Sequence, residues 1–572
     1  MYYKTKVKIP ENNGKISIKK SSNTSYVEYA FYRKYDAKKG YTVSKKTTIG
    51  KVCPDDDKMM YPNPKFEQYF PLESIPDEDN PKRALALDVG SYIVLKKLIE
   101  DYELQKHLAS WDERDRGLIL DLAIYSIITE SNAMQHYPSY AFTHPLMTPG
   151  HRIYSDSTIS RFLSEMKQDQ RILFLNSWNK DFNKKDRIYV SYDSTNKNCK
   201  AGEIEMAEYG HPKNDVGAPI VNYSLAYDLN NKIPLLYESY PGSLTDVTQL
   251  QALIDKFNNY GYKNLGFVLD RGYFSRTNLD YMRKYGYEYI IMVKGKYQYI
   301  RTIIDEVKGS FEKKIANFIR EYDTYGTTVC GKLYKEDEKD SYFHLYYKLN
   351  KDEAESTVIT RDMNKMEDEM NTHLNKDWIM PIEYEKYYIP LYDINSNRCV
   401  FLGFKRKDNV IEEALKYSGY FAIVTSNKMT AAEALRLYKN RDISEKLFCS
   451  DKSFLGNNSF RVSTTASMES KIFIEFIALI IRSKLYSLLK DRMKEMSNSP
   501  NYMTVPGAIE ELEKIKLYKY GDGPYKLPFG LTATQKTILG AVGISKDEFI
   551  ERAISLSNEF EKLDKEDSDD NE

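Results

Sequence analysis

Cysteine is scarce in this 572-residue chain. There are five in all (Cys53, Cys199, Cys330, Cys399 and Cys449), and no two stand in C-x2-C spacing. That excludes a disulfide framework and a structural zinc site of the usual ligand pattern. No long apolar run is present either. The longest, near 473–481, is broken by Glu475 and is too short to span a bilayer. The first residues are polar and basic without an apolar core, so no secretory signal is expected and the compartment should be reducing and cytoplasmic. Net charge is also missing: 83 Lys and Arg balance 83 Asp and Glu, so the total says nothing about a polyanionic partner.

The distribution of charge is more informative. Residues 1–52 carry thirteen Lys or Arg against Glu11, Glu28 and Asp36, a balance of +10. The tail 559–572 carries eight acids against Lys562 and Lys565, a balance of −6, and is expected to be disordered. A basic end is the electrostatic footprint of phosphate binding, and equally that of a solvated surface. Tyrosine is abundant, 49 residues, and serves cores or base and phosphate contacts alike. A chain this long exceeds one hydrophobic core, so two to four domains are expected.

Periodicity divides the chain. Residues 1–80 alternate apolar and polar and read as a small basic β-rich module, with a Pro- and Asp-rich linker at 76–84. Residues 81–186 change to helical period. Ser155-Asp156-Ser157-Thr158 opens one helix, and local sequence leaves both a DNA-recognition helix and an ordinary capped core helix open. Between 187 and 294 the pattern predicts strands at Ile188–Asp193, Ile220–Leu229, Ile233–Ser239, Leu265–Asp270 and Glu288–Val293, with helices near 245–260 and 276–285. Three strands followed by αβαβ is the order of a ribonuclease-H-like sheet. Residues 295–418, rich in Lys, Asp, Glu and Tyr, read as a mainly β insertion; 419–500 return a strand and two helices, near 429–448 and 469–497, and 501–572 end the chain. The expected class is α/β: a ribonuclease-H-like catalytic core interrupted by a mainly β insertion, with a small β-rich N-terminal module and helical flanking regions.

Two aspartates end predicted strands: Asp193 in Tyr192-Asp193-Ser194-Thr195, and Asp270 in Asp270-Arg271-Gly272-Tyr273. A carboxylate at a strand end can reach a hard cation in a cleft; alone, such a residue is better explained as a turn former or cap. Gly272 permits a tight turn and Arg271 can approach a phosphate. A third carboxylate, Glu445, follows in Tyr438-x2-Arg441-x3-Glu445-x6-Lys452. On one helix Tyr438, Arg441 and Glu445 share a face. Three separated carboxylates suit a two-magnesium phosphoryl-transfer site. Asp215 and Asp246 read better as turn and N-cap residues, and Trp378 better as a packed ring than as a base-stacking platform.

Taken in order, these segments resemble the DDE transposases of the IS4-type insertion-sequence group, most nearly its IS1634-like branch. The family's Y-x2-R-x3-E-x6-K signature falls on Tyr438, Arg441, Glu445 and Lys452, its first acidic segment on Asp193–Thr195 and its second on Asp270–Tyr273; Gly210–Asp215 and Tyr237–Asp246 are similar to its strand-pair region. The resemblance covers roughly 85–490. It departs at Val462–Ser470, where relatives carry a histidine and this chain has none.

The resemblance implies catalytic and metal-binding roles for Asp193, Asp270 and Glu445, which would hold two Mg²⁺ ions (Mn²⁺ substituting) about 3.5–4 Å apart. It implies DNA contacts from Tyr438, Arg441, Lys452 and Arg271. The implied partners are element terminal inverted repeats and target DNA, met by a homodimer in a synaptic complex in the prokaryotic, nucleoid-associated cytoplasm. Two other readings remain open: a non-catalytic DNA-binding derivative, and a ribonuclease-H-like nuclease with another substrate.

Overall fold

The protein is described here from a computed structural model, over residues 6–569 apart from 12–13, 22–23, 37–39, 55, 71–82, 183–186, 200–202, 211, 213–216, 294–297, 396–397, 443–459 and 521–522. It divides into two compact units. One comprises Met1–Leu85 with Pro138–Thr143 and Gly150–Tyr154; the other holds the rest of the chain.

The first unit is built on an antiparallel sheet of β1 (Val7–Lys8), β2 (Ile16–Ser21), β3 (Thr24–Asp36), β4 (Tyr41–Val52) and β5 (Met59–Pro62), in the order β1-β5-β4-β3-β2. The expected alternation is present. Val7, Val27, Ile49, Met60 and Phe66 form its core, with Ile9, Ile16 and Tyr29 packed against it.

The second unit opens with the short β6 (Ala86–Asp88) and helices that include Glu113–Thr129 and Asp156–Glu165. Ser155 caps the latter by accepting from the Thr158 amide, as its sequence predicts. The central sheet then begins: β7 (Ile188–Asn198), β8 (Ile220–Asp228), β9 (Ile233–Pro241), β10 (Leu265–Leu269) and β11 (Glu288–Met292). Their spatial order is β9-β8-β7-β10-β11, with β7-β8-β9 an antiparallel meander and β7, β10 and β11 parallel. Parallel neighbours need crossovers, supplied by the helices Asp246–Asn259 and Arg276–Lys284.

Four expectations are corrected. β7 does not stop at Asp193 but runs five residues further, because β8 pairs with it as far as Asn198. The segment 295–418 is not mainly β. It contains the 24-residue helix Leu349–Thr372 and shorter helices at Gln298–Val307 and Asp408–Lys416. The long helix was hidden by its charge. Only Met370 is fully buried on it, and Met363, Met366 and Met370 give it a narrow apolar stripe at helical spacing.

Nor are all the strands of that segment separate from the core. β12 (Phe318–Ile319), β13 (Thr324–Gly331) and β14 (Ser341–Tyr347) extend the central sheet to nine strands by way of β18 (Tyr420–Thr425), in the order β12-β13-β14-β18-β11. Only β15 (Lys376–Asp377), β16 (Tyr388–Asn395) and β17 (Arg398–Arg406) form their own small sheet. There Trp378 packs in the expected ordinary way, stacked on His373 at 4.6 Å and edge-on to Phe401 at 4.9 Å. Finally, the acidic tail is helical to Asp569. Phe560 is buried against Tyr525 of β20 (Tyr525–Lys526), and Asp564 pairs with Lys519 of β19 (Lys516–Lys519), which anchors the helix.

The helix Thr465–Lys494 is buried on every face from Ser470 to Ser483, as a core helix must be. Trp111 stacks on its Phe473 at 5.3 Å, and Phe174 meets the same ring edge-on. It also carries charge inward. Glu475, 1% exposed, pairs at 3.1 Å with Lys197 of β7, whose side chain is fully buried. Lys471, also buried, donates to the Phe460 carbonyl at 2.6 Å. Tyr223 and Phe460 present ring faces to Lys197 at 4.9 and 5.4 Å.

Burial drives the Lys471 ammonium down from its ordinary 10.5 to about 8, against the pull of Glu475 and helped by Lys197. Removing Glu475 would leave two cations in the core. Glu475→Gln should cost about 3–5 kcal/mol of stability in chemical denaturation. Lys471 binds its proton more weakly folded than unfolded. Its penalty is therefore complete below pH 8 and disappears as pH rises from 8 towards 10.5. Relative to Lys471→Met, the wild-type unfolding midpoint should climb across that window, and parallel profiles would contradict the assignment.

Candidate active site

The register of β7 with β10 sets the site. Leu269, the last residue of β10, lies beside Tyr192 in a parallel pair, so the next residues on each chain, Asp270 and Asp193, come side by side. Neighbours in this register point to the same face of a sheet, and Thr195 and Lys197 share the Asp193 face by alternation. Both carboxylates remain partly open, with side-chain exposures of 19% for Asp193 and 39% for Asp270. Beyond Asp270 the chain turns through Arg271–Tyr273, and Ser275 caps the following helix by accepting from the Asn278 amide. Gly272 has no left-handed φ and open space where a Cβ would stand, so the turn does not require glycine, contrary to the expectation.

A second group of side chains comes from the helix Ala431–Asn440. Thr430 and Glu433 close a capping box at its start, which fixes where the helix begins. At its other end Tyr438 is buried, and its hydroxyl donates to Asp270 Oδ1 at 3.3 Å. Arg441, the C-cap residue, is also buried. Its Nη1 lies 3.7 Å from Asp193 Oδ2 and its Nη2 3.9 Å from Asp270 Oδ1, while the guanidinium sits 5.4 Å from the Tyr438 ring centroid. Burial raises the Tyr438 pKa, Arg441 opposes the rise and Asp270 adds to it, so the phenol stays protonated and acts as a donor.

Beneath the carboxylates the sheet is lined with tyrosine. Tyr273 donates to Ser194 at 3.1 Å and packs on Tyr192 at 5.4 Å; Tyr240 donates to Asp246 at 2.7 Å. Burial pushes all three phenols well above their ordinary range. In this region the tyrosine-rich composition is spent on core packing. Asp246 occupies the first turn of its helix, after Thr245 at the N-cap position.

Of the candidate residues named from sequence, Asp193, Asp270, Tyr438 and Arg441 are brought together, and Arg271 is exposed on the adjoining turn. Glu445, Lys452 and Asp215 fall outside the described residues. The sequence reading missed the buried Lys197–Glu475–Lys471 group beside the site; its one visible sign was a glutamate interrupting the apolar run at 475. Also unanticipated was a set formed by Asp88, His144 and Glu513, whose ligand atoms lie within 4.8 Å of one another. There His144 Nε2 is 2.9 Å from Glu513 Oε2 and Lys516 Nζ is 2.6 Å from Asp88 Oδ1. With an ammonium already on Asp88, this set reads as an ion-pair network joining β6 and β19.

Asp193 and Asp270 fit a divalent cation. They offer hard oxygen donors, and they already converge on one positive group, the Arg441 guanidinium. Arg441→Gln should remove the positive charge that faces the pair. In EDTA we expect a loss of about 1–3 kcal/mol. Millimolar Mg²⁺ should restore stability more in this variant than in the wild type. Thermal unfolding with and without Mg²⁺ checks this, and indifference to Mg²⁺ in both proteins would remove the cation from the site.

Among solved structures, similarity extends to the piggyBac transposase in a synaptic complex with hairpin DNA (8% identity, TM-score 0.29, 72% of this chain and 65% of that one). It extends also to the Mos1 transposase in a paired-end complex with the left transposon end (12% identity, TM-score 0.14, 39% of this chain and 65% of that one). The chain thus spans 65% of the length of each of these. No curated protein matches it. The family profile described as the transposase DDE domain matches residues 186–481, more than half of the chain and all of the sheet from β7 to β18. On that match the chain belongs to the transposase DDE domain family.

Proposed function

We propose that this protein is a DNA transposase that binds element ends, cleaves DNA phosphodiester bonds and joins the freed end to target DNA. One observation carries the reading: Asp193 and Asp270 stand side by side on neighbouring parallel strands, with Arg441 and Tyr438 directed onto them from a later helix. The strand order β9-β8-β7-β10-β11, with its pattern of directions, supports a ribonuclease-H-like core. The spacing of Tyr438, Arg441, Glu445 and Lys452 supports the IS4-type, IS1634-like placement. On this reading residues 1–80 and 81–186 are accessory DNA-binding regions. The catalytic core comprises 187–294 and 419–500, and 295–418 is an insertion.

Asp193 and Asp270, with Glu445 as the third carboxylate, would hold the metal ions, two Mg²⁺ on this reading. Bound there, divalent cations supply Lewis acidity to the attacking and leaving oxygens of an in-line displacement. In the first reaction a water oxygen bonds to phosphorus and the bond to the 3′ oxygen breaks, leaving a 3′-hydroxyl and a 5′-phosphate. In the second, that hydroxyl attacks a target phosphate and displaces a new 3′ oxygen. The chain's own contribution is positioning. Arg441 can exchange its carboxylate contacts for the non-bridging oxygens of the phosphate, and the Tyr438 hydroxyl can donate to the same group. Arg271 and Lys452 would hold flanking phosphates. A homodimer pairing two ends, working in the nucleoid-associated cytoplasm, completes the proposal. Among the described residues no helix is long and apolar enough to cross a membrane.

The test is cleavage of labelled duplex carrying the repeats that flank the gene, in Mg²⁺ or Mn²⁺. Asp193→Ala, Asp270→Ala and Glu445→Ala should each bind the duplex as wild type does and cut it at least about a thousandfold more slowly. Cutting that survives Glu445→Ala would move the third ligand elsewhere. Wild-type binding without cutting under either metal would favour the non-catalytic derivative.

A further inference from the structure

β3 and β4 outrun their sheet. β2 pairs with β3 only from Thr24 to Tyr29, and β5 pairs with β4 only from Gly50 to Val52. The pairing of β3 with β4 continues beyond both, through Tyr32↔Lys45, Arg33↔Ser44, Lys34↔Val43, Tyr35↔Thr42 and Asp36↔Tyr41. Those five pairs form a two-stranded ribbon about 17 Å long, with no strand along either edge among the described residues. The core beneath the sheet reaches Ala30 and Ile49, so the ribbon lies past it, and a register shift between Ala30 and Tyr32 marks its base.

The side chains there are unlike ordinary edge protection. Directly paired residues share a face, so one face carries Tyr32, Lys34, Val43, Lys45 and Tyr41. Tyr32 is 46% and Tyr41 58% exposed; Lys34 and Lys45 are exposed, and the Lys45 ammonium lies 5.9 Å from the Tyr32 ring centroid. The other face carries Tyr35, 63% exposed, and Arg33, which donates to the Gly14 carbonyl. Lysine alone on a ribbon would be the usual guard against strand addition. Three exposed tyrosines are the reverse of that guard, since they invite contact. Aromatic rings interleaved with cations, at the end of the chain with a balance of +10, are the chemistry of a polyanion with stackable or groove-lining edges.

We propose that this ribbon is a DNA-binding arm that enters the major groove of double-stranded DNA. That groove, about 12 Å wide, admits a two-stranded ribbon. Lys34 and Lys45 neutralise phosphates along its walls, and Tyr32 and Tyr41 lie against base edges and sugars. The inference rests on the DNA-transposase reading, and it locates a contact surface outside the DDE domain.

The experiment uses the full chain and a 30-bp duplex in EDTA, so that binding is read without cleavage. Lys34→Gln with Lys45→Gln should weaken binding by about tenfold or more at 0.1 M salt and reduce the slope of log K against log salt by about two. Tyr32→Ala with Tyr41→Ala should weaken binding while leaving that slope unchanged. Guanine-N7 methylation, which blocks the major groove, should interfere with wild-type binding and lose its effect in the tyrosine variant. All four side chains are exposed, so unfolding midpoints should stay at the wild-type value. An unchanged slope and affinity in the lysine variant would overturn the proposal. So would a change in sedimentation mass without a change in DNA binding, which would assign the ribbon to protein contact. A wild type that binds here with the full slope but does not cut in the Mg²⁺ or Mn²⁺ assay above would leave the arm standing and remove the catalytic reading instead.

Discussion

Everything at the candidate site follows from the parallel pairing of two short stretches of chain. Five residues of β10 lie in register with β7, from Leu265↔Ile188 to Leu269↔Tyr192, and the next step places a carboxylate on each strand. A shift of one residue would turn Asp270 to the opposite face of the sheet from Asp193. Gly266 opposes that shift: it lies beside Tyr189, where a Cβ would stand 2.6 Å from the ring, so a slip that put Leu265 or Phe267 there would not fit. The chemistry is thus set by hydrophobic packing several residues before the acids.

Two carboxylates facing each other repel, and the fold answers with Arg441. The guanidinium reaches across both acids from a helix whose start is fixed by a capping box and by Tyr346, which donates to the Ala431 carbonyl at 2.7 Å. On the reading proposed above, cation and phosphate binding would be linked, because the arginine that faces the aspartates is also the group that would hold a phosphate.

Much of this was legible in the sequence, unevenly. The strands β8 to β11 lie within two residues of their predicted ends, and the spacing that joins Tyr438 and Arg441 to Asp270 was carried by motif alone. Periodicity failed where burial was thin. The helix Leu349–Thr372 shows only a narrow methionine stripe, and its charges read as surface alternation. It failed again where pairing is long-range. Nothing local to Thr324–Gly331 or Ser341–Tyr347 says that these strands join the central sheet, because they reach it only through β14, whose partner β18 begins at Tyr420, far along the chain from Tyr347. Lys197 escaped notice because a buried cation is recognisable only from the glutamate that meets it across the fold, and Lys471 because nothing local shows that its face of the helix is buried.

The interruption between β11 and β18 has a consequence for how the chain is made. β11 ends at Met292 and its antiparallel neighbour begins at Tyr420. A ribosome working at about 5–20 residues per second leaves that edge of the nascent sheet bare for about 6–25 seconds. β14 cannot cover it in the meantime, since β14 hydrogen-bonds to β18 and not to β11. The sequence Glu288-Tyr-Ile-Ile-Met292 is then an open, apolar template for strand addition by another chain. Slow or crowded synthesis should therefore trap this protein as aggregates nucleated at β11, however stable the finished fold.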